Sequence, residues 1–291
     1  MKAKKSLGQN FLKSIPALNK IVETGEISVG DIILEIGPGK GALTKQLLAT
    51  SCQLIAVEKD EYLYELLKSK FEKEISSGQL KLIKGDILDF NIENYKLKAK
   101  TYKLIANIPY NITGAILKKF LQGNLSTPLK ARNQPKLMVL MVQKEIAERI
   151  MARDGKESIL SISVKAYGDP KMIMKVPARY FSPSPKVDSA IISIKNISRK
   201  NFNSPLEEYP LGGGGQLFHP GINATPQEGN VDERVFWEIV RAGFAHKRKK
   251  LSSNLKKYDP SLSGGVASVG LGNKRAEELT LKDWIELVKV L

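Results

Sequence analysis

Between Asp31 and about Gln143, short apolar runs alternate with polar-studded stretches: DIILEIG then GALTKQLLAT, QLIAVEK then EYLYELLKSKF, LKLIKGDIL, YKLIAN then TGAILKKFL, and KLMVLMVQ then KEIAERI. The runs have strand length, whereas the longer stretches between them space their apolar residues at helical intervals. Strands that are apolar on both faces must be covered on both. The pattern therefore predicts an α/β fold, a mostly parallel sheet with helices on its two sides. Two later runs, KMIMKV and SAIISIK, flank PARYFSPSPKVD, whose prolines exclude a helix. They are expected to complete the same sheet.

Residues 201–230 break the pattern, with no Lys or Arg, three acidic residues, six Gly and four Pro, including the run Gly212 to Gly215. This composition predicts a linker or inserted loop. Beyond it, Phe236, Val240, Phe244, Leu251 and Leu255 recur at four- and seven-residue spacings, which predicts one or two amphipathic helices. Three parts are expected: a sheet domain over 1–200, the linker over 201–230, and a small helical domain over 231–291.

Charge adds a partner to this picture. The 46 Lys and Arg against 30 Asp and Glu leave a net charge of +16, which suits a polyanion. There are 34 basic and 22 acidic residues up to Asn230 and 12 and 8 after it, so the sheet domain carries most of the excess. The single Cys52 lies in a strand-like run and is expected to serve packing in a reducing compartment. His219 and His246 stand far apart without a cysteine cluster, so no metal site is expected. No run has membrane-spanning length, and the N-terminus, with five lysines and no acid in 22 residues, has no signal-peptide core. A cytoplasmic protein that does not associate with membranes is expected.

Candidate chemistry gathers at the ends of the apolar runs. In ILEIGPGKGALT a strand ends in glycines before a helix, the place where an α/β sheet opens to a ligand. Gly37, Gly39 and Ala42 also fit a dinucleotide fingerprint, while a phosphate-binding loop is excluded because no GK[ST] follows at the required interval. Glu58 ends the next run, 21 residues after Gly37, where a carboxylate can take both hydroxyls of a ribose. That serves NAD or S-adenosylmethionine equally. An acidic turn opening a helix is the alternative for Glu58 and Asp60. Asp86, at the following strand end, can accept from an adenine amino group or serve as an ordinary turn residue. In ANIPYN, Pro109 fixes its own φ, donates no hydrogen bond and holds Ile108 extended, so the chain must leave the sheet there. The Asn107 side-chain oxygen and a nearby carbonyl can then accept from one exocyclic amine while Tyr110 offers its ring to a base. An adenine N6 lone pair is delocalised into the ring, so such acceptors would supply what a strong base otherwise would. The alternative is a Pro-Tyr turn before a helix capped by Thr113.

SLGQNFL, EIGPGKGALT, VEKD, GDIL, ANIPYN, FSPSPKVDSAI and FAHKRKKLSSNL occur here in the order found in ribosomal RNA adenine N6-dimethyltransferases, which the sequence resembles over most of its length. The resemblance implies a Rossmann-like S-adenosylmethionine-dependent methyltransferase sheet with a small C-terminal helical domain. It also implies dimethylation of two adjacent adenosines in a hairpin near the 3′ end of small-subunit ribosomal RNA. The immature small subunit is the expected partner, and a monomer is expected. By the same resemblance the cofactor contacts fall on Asn10, Leu12, Gly37, Glu58, Asp86 and Asn107. Asn107, Pro109 and Tyr110 form the catalytic corner, and Phe181 would cover the other face of the target adenine, a position that also fits a core aromatic. Lys247, Arg248, Lys249 and Lys250 are expected to contact phosphate from a basic helix face. Ile108 stands where the family more often has Leu, and residues 201–230 are longer than expected between the domains. With net charge −3, that segment is expected to point away from RNA. Three other readings stay open: a resistance-type enzyme acting on large-subunit RNA, a DNA adenine methyltransferase, and a ribosome-assembly factor with dispensable catalysis.

Overall fold

The computed structural model describes residues 9–95, 97–123, 133–202 and 231–291. The expectations for 203–230 lie outside the described residues.

Among the described residues, nine strands form two sheets. A short ribbon pairs β1 (Phe11–Leu12) with β8 (Phe181–Ser182). The main sheet runs β4-β3-β2-β5-β6-β9-β7, with β2 (Ile32–Ile36), β3 (Gln53–Glu58), β4 (Leu80–Lys84), β5 (Tyr102–Asn107) and β6 (Leu137–Gln143) parallel. β7 (Asp169–Val176) and β9 (Ser189–Lys195), the runs flanking the proline-rich segment, complete it in antiparallel sense. The chain builds β2, β3 and β4 outward in one direction, then returns to lay β5 against the other side of β2. The crevice beyond the carboxyl ends of β2 and β5 is thus the topological switch point, where an open α/β sheet binds its ligand.

The helices of the sheet region are α1 (Ile15–Thr24), α2 (Ala42–Leu48), α3 (Glu61–Lys70), α4 (Glu72–Ser76), α5 (Thr113–Leu117), α6 (Lys144–Met151) and α7 (Ile159–Lys165). Local chemistry starts several of them: Ser14 accepts from Ala17 N to cap α1, and Asp60 accepts from Leu63 N to cap α3. Successive residues of each central strand point to opposite faces. Ile33, Ile105, Val139, Met141 and Ile191 enter one apolar cluster, and Leu34, Leu104, Met138, Leu140 and Ile192 enter the other. The second of these continues without a break into the C-terminal helices α8 (Glu233–Gly243), α9 (Leu251–Tyr258), α10 (Ser263–Ser268) and α11 (Leu281–Val290), through Phe236, Trp237 and Trp284.

A buried polar junction lies in this contact. Glu233 takes hydrogen bonds from the Tyr167 hydroxyl and the Arg199 guanidinium, and Trp237 Nε1 donates to Tyr167 Oη at 2.8 Å. Arg199 also donates to the carbonyls of Leu121 and Gln122, at the end of the turn that continues α5.

The expected C-terminal amphipathic stretch is two helices, and the basic tetrad does not lie on a helix face. Lys247, Arg248 and Lys249 sit in the turn between α8 and α9, and Lys250 is the N-cap residue of α9. The buried Asn254 causes this break, since its amide donates to the carbonyls of Gly243 (2.6 Å) and His246 (3.2 Å) and folds the chain back on itself. Among the described residues, no helix is long and apolar enough to cross a membrane.

Candidate active site

The turn after β2 is built on left-handed backbone. Gly37 and Gly39 have φ of +61° and +60°, which side chains adopt only with strain. A Cβ on Gly39 would meet the Phe11 ring at 3.0 Å, whereas one on Gly37 would find only Pro109 Cδ, at 3.8 Å. Gly37 therefore leaves open space facing the corner after β5, as close approach of a ligand requires. Glu58, at the end of β3, braces this turn: one carboxylate oxygen accepts from Gly39 N (3.0 Å) and the other from Asp60 N (2.8 Å). Burial pushes its pKa up, against these two backbone donors. Lone pairs remain on both oxygens for a further donor.

Asp86 has the geometry of a turn aspartate. Its Oδ1 accepts from Leu88 N (2.9 Å), as a turn aspartate does, and it stands at the carboxyl edge just beyond β4. Its Oδ2 accepts from Lys59 Nζ (2.7 Å), and that hydrogen bond, ahead of the Leu88 one, holds the carboxyl below its ordinary pKa.

The corner after β5 leaves the sheet as Pro109 requires. Pro109 has φ −60° and ψ 132°, Tyr110–Ile112 form one 3-10 turn, and α5 follows. Thr113 is the first residue of α5 and no N-cap acceptor, because its hydroxyl donates back to Tyr110 O at 3.1 Å. Asn107 Nδ2 donates to the main-chain carbonyl of Asn10 (3.3 Å), which fixes the amide and turns its oxygen the other way. Among the described residues no donor reaches that oxygen. The Tyr110 hydroxyl meets Ser189 Oγ at 2.5 Å, so the ring is tethered across β6 to the start of β9, and burial raises the phenol pKa.

Asn10, Gly37, Asn107, Pro109 and Tyr110 are thus brought together, with Glu58 bracing the glycine turn beside them. Leu12 is buried in β1, beside Phe181 in the ribbon. Phe181 is a correction to its expected stacking role: it is 2% exposed and belongs to the core cluster on the α1 face, so its ring offers no free face to a base in this conformation. Pairing of Leu12 with Phe181 draws it inward. Lys247 to Lys250 belong to the helical part, between α8 and α9.

Three residues escaped the sequence reading. Ser189 ends the FSPSPKVDS segment, whose only aromatic drew attention instead. Gln143, half-buried, ends the apolar run KLMVLMVQ. Glu35 hides inside an otherwise apolar strand, 1% exposed, accepting from Thr44 Oγ1 at 2.8 Å. Its burial, with a contribution from neighbouring Glu58, pushes its pKa up to about 8. A carboxyl with a folded pKa above its unfolded value stabilises fully below about pH 4.5 and loses that contribution as pH rises toward 8. Glu35→Gln is therefore expected to match the parent in thermal midpoint near pH 4 and to exceed it at pH 8. Equal midpoints at both pH values in calorimetry would contradict the assigned protonation.

The profile described as ribosomal RNA adenine dimethylase matches residues 1–209. The chain belongs to that family. Its members transfer methyl groups from S-adenosylmethionine to adenine of ribosomal RNA, and this chain is such an enzyme. Relatives agree over the whole length: the chain is 36% identical to ribosomal RNA small subunit methyltransferase A of Dehalococcoides mccartyi (strain CBDB1), covering 99% of this chain and 88% of that protein. It is 34% identical to the protein of that name from Thermosynechococcus vestitus, over 100% and 97%. Among solved structures, a dimethyladenosine transferase from Plasmodium falciparum shares the fold at a TM-score of 0.71, with 24% identity over 95% of each chain. The 23S rRNA methyltransferase ErmE does so at 0.65, with 21% identity over 97% and 99%. The open switch-point crevice, with its left-handed glycines and a carboxylate at the end of β3, suits the cofactor of this family.

Proposed function

We propose that this enzyme dimethylates N6 of two adjacent adenosines in the hairpin near the 3′ end of small-subunit ribosomal RNA, on the immature small subunit. The observation that carries the chemistry is the Asn107 oxygen beside Tyr110, fixed by its amide bond to Asn10 and reached by no donor among the described residues. The choice of small over large subunit follows the names of the full-length relatives, which share a third or more of their residues with this chain.

S-adenosylmethionine supplies an electrophilic methyl group when bound, held by Asn10, Leu12, Gly37, Glu58, Asp86 and Asn107. The rest is done by the chain. Asn107 accepts a hydrogen from the adenine amine and draws its lone pair out of conjugation. Tyr110, tethered by Ser189, presents its ring to the extruded base, and the corner needs no strong base because electrostatic positioning substitutes for it. Extruding a base costs a few kcal/mol, least in an already unpaired loop, which favours a hairpin.

The division into a catalytic sheet domain (1–200) and a helical RNA-binding domain (231–291) fits this reading, with Lys247, Arg248, Lys249 and Lys250 as exposed phosphate contacts. Replacing one of them by alanine is expected to weaken binding about equally for any RNA and to flatten the salt slope by about one unit. A slope unchanged after replacing all four would remove them from the interface. One chain carries every residue named, so a monomer suffices, working in the cytoplasm where its substrate is assembled.

The deciding experiment treats immature small subunits and, separately, large subunits, digests the RNA to nucleosides and quantifies dimethyladenosine by mass spectrometry. Dimethyladenosine is expected from the small subunits alone. Its appearance in large-subunit RNA would favour the resistance-type activity.

A further inference from the structure

Gln143 has no part in the chemistry above, yet the topology puts it in the middle of the site. It ends β6, the strand between β5 and β9, and stands opposite Ser189 in the antiparallel ladder. Residues so paired hold their Cβ atoms about 5 Å apart. Strand alternation puts Gln143 on the same face as Met141, and Asn107, which lies beside Met141 in the parallel ladder, shares that face. Tyr110 leaves the end of β5 and reaches Ser189 on β9, so it spans the end of the strand where Gln143 sits.

The side chain is half-buried, and among the described residues its carboxamide makes no hydrogen bond. It occupies the N-cap position of α6 without capping it, and the amide of Lys144 is taken by the Asp188 carbonyl as donor to that group. A carboxamide held by its backbone between a base-presenting ring and an amine-accepting oxygen, with donor and acceptor both unspent, is equipped to read a nucleobase edge.

Building on the assignment of Asn107 and Tyr110 to the target base, we propose that Gln143 is a specificity-determining residue whose side-chain amide donates a hydrogen bond to ring N1 of the target adenine. N1 adjoins N6 on the edge freed when a base leaves its pair, the edge that base-flipping enzymes read. Adenine presents an acceptor at N1. Guanine presents an N–H there, which the amide meets only by turning its oxygen to the base, and guanine O6 would then face the Asn107 oxygen, acceptor against acceptor. The contact also survives both transfers. Methylation at N6 removes a hydrogen that Asn107 could use and leaves N1 untouched.

The test pairs a residue with a substrate atom. Immature small subunits are reconstituted with RNA carrying 1-deazaadenosine at the two target positions, or 7-deazaadenosine as a control, and methylated by the parent enzyme and by Gln143→Leu. The parent is expected to lose about tenfold in kcat/KM on 1-deazaadenosine, and Gln143→Leu to lose about tenfold on adenosine, with no further loss when the two are combined. Gln143→Glu, unable to donate when ionised, should behave like the leucine variant. Thermal midpoint and S-adenosylhomocysteine binding, measured by calorimetry, should match the parent in both variants. Losses that multiply to about a hundredfold, a Gln143→Leu enzyme as fast as the parent, or non-additivity with 7-deazaadenosine in place of 1-deazaadenosine would each overturn the N1 contact. Asn107→Ala separates the two levels: if it is inactive while the losses multiply, only the Gln143 contact is wrong, and if it is fully active the corner itself has been misassigned.

Discussion

Asn107→Ala is expected to lower kcat on ribosomal RNA by about 10²–10³-fold, roughly 3–4 kcal/mol of barrier, the loss typical of deleting one preorganised partner of a developing charge. In the mechanism proposed above, the adenine amine attacks only when its lone pair is turned out of the ring, and the Asn107 oxygen takes one of its hydrogens. Preorganisation is visible in the bond from Asn107 Nδ2 to Asn10 O, which sets the amide before any base arrives. Alanine removes the oxygen and also the tie to Asn10, so the N-terminal segment should loosen as well. Single-turnover methylation at saturating S-adenosylmethionine isolates the first effect, and calorimetric binding of S-adenosylhomocysteine isolates the second. A single-turnover rate within threefold of the parent would exclude Asn107 from the chemistry.

Glu233→Ala should be the most destabilising change at the contact between the sheet and the C-terminal helices, costing about 3–5 kcal/mol and lowering the thermal midpoint by roughly 10 °C. Glu233 is buried and is the counter-charge of Arg199, which is itself nearly buried and lies over the Tyr167 ring at 5.1 Å. Without Glu233 the guanidinium stays in the interior with only carbonyls and the Tyr167 ring to face, and the Tyr167 hydroxyl loses its acceptor. The penalty is that of a stranded charge, so removing both charges is expected to restore much of the loss. Arg199→Leu/Glu233→Leu should melt closer to the parent than Glu233→Ala does. For contrast, the exposed pair Lys20–Glu23 should contribute no more than about 1 kcal/mol. A midpoint for Glu233→Ala within 2 °C of the parent would show that the junction contributes little.

Much of this architecture was legible because periodicity and burial agree. The runs DIILEIG, QLIAVEK, YKLIAN and KLMVLMVQ became the central strands since nothing but a doubly covered sheet accommodates residues that are apolar on both faces. The site was legible where backbone chemistry is residue-specific: Gly37 and Gly39 where φ is positive, Pro109 where the ladder must end. It was not legible where tertiary placement decides. Phe181 could be a platform or a core residue, and only the pairing of β8 with β1 sends it inward. The basic tetrad continues a helical spacing, and only the buried amide of Asn254 shows that a turn interrupts it. Ser189 and Gln143 matter through strands that meet edge to edge across 46 residues of chain, a relation with no local signature.

The two-stranded ribbon at the N-terminus carries one further meaning. Phe11 and Leu12 pair with Ser182 and Phe181, Lys13 N donates to Tyr180 O at 2.8 Å, and the neighbouring Asn10 carbonyl holds Asn107. Two shores of the cleft, far apart in chain order, are stitched to a few backbone amides. The amide that the site depends on is therefore anchored through a segment more than ninety residues away in the chain, so cutting the few bonds of the ribbon would unmoor it without touching the sheet.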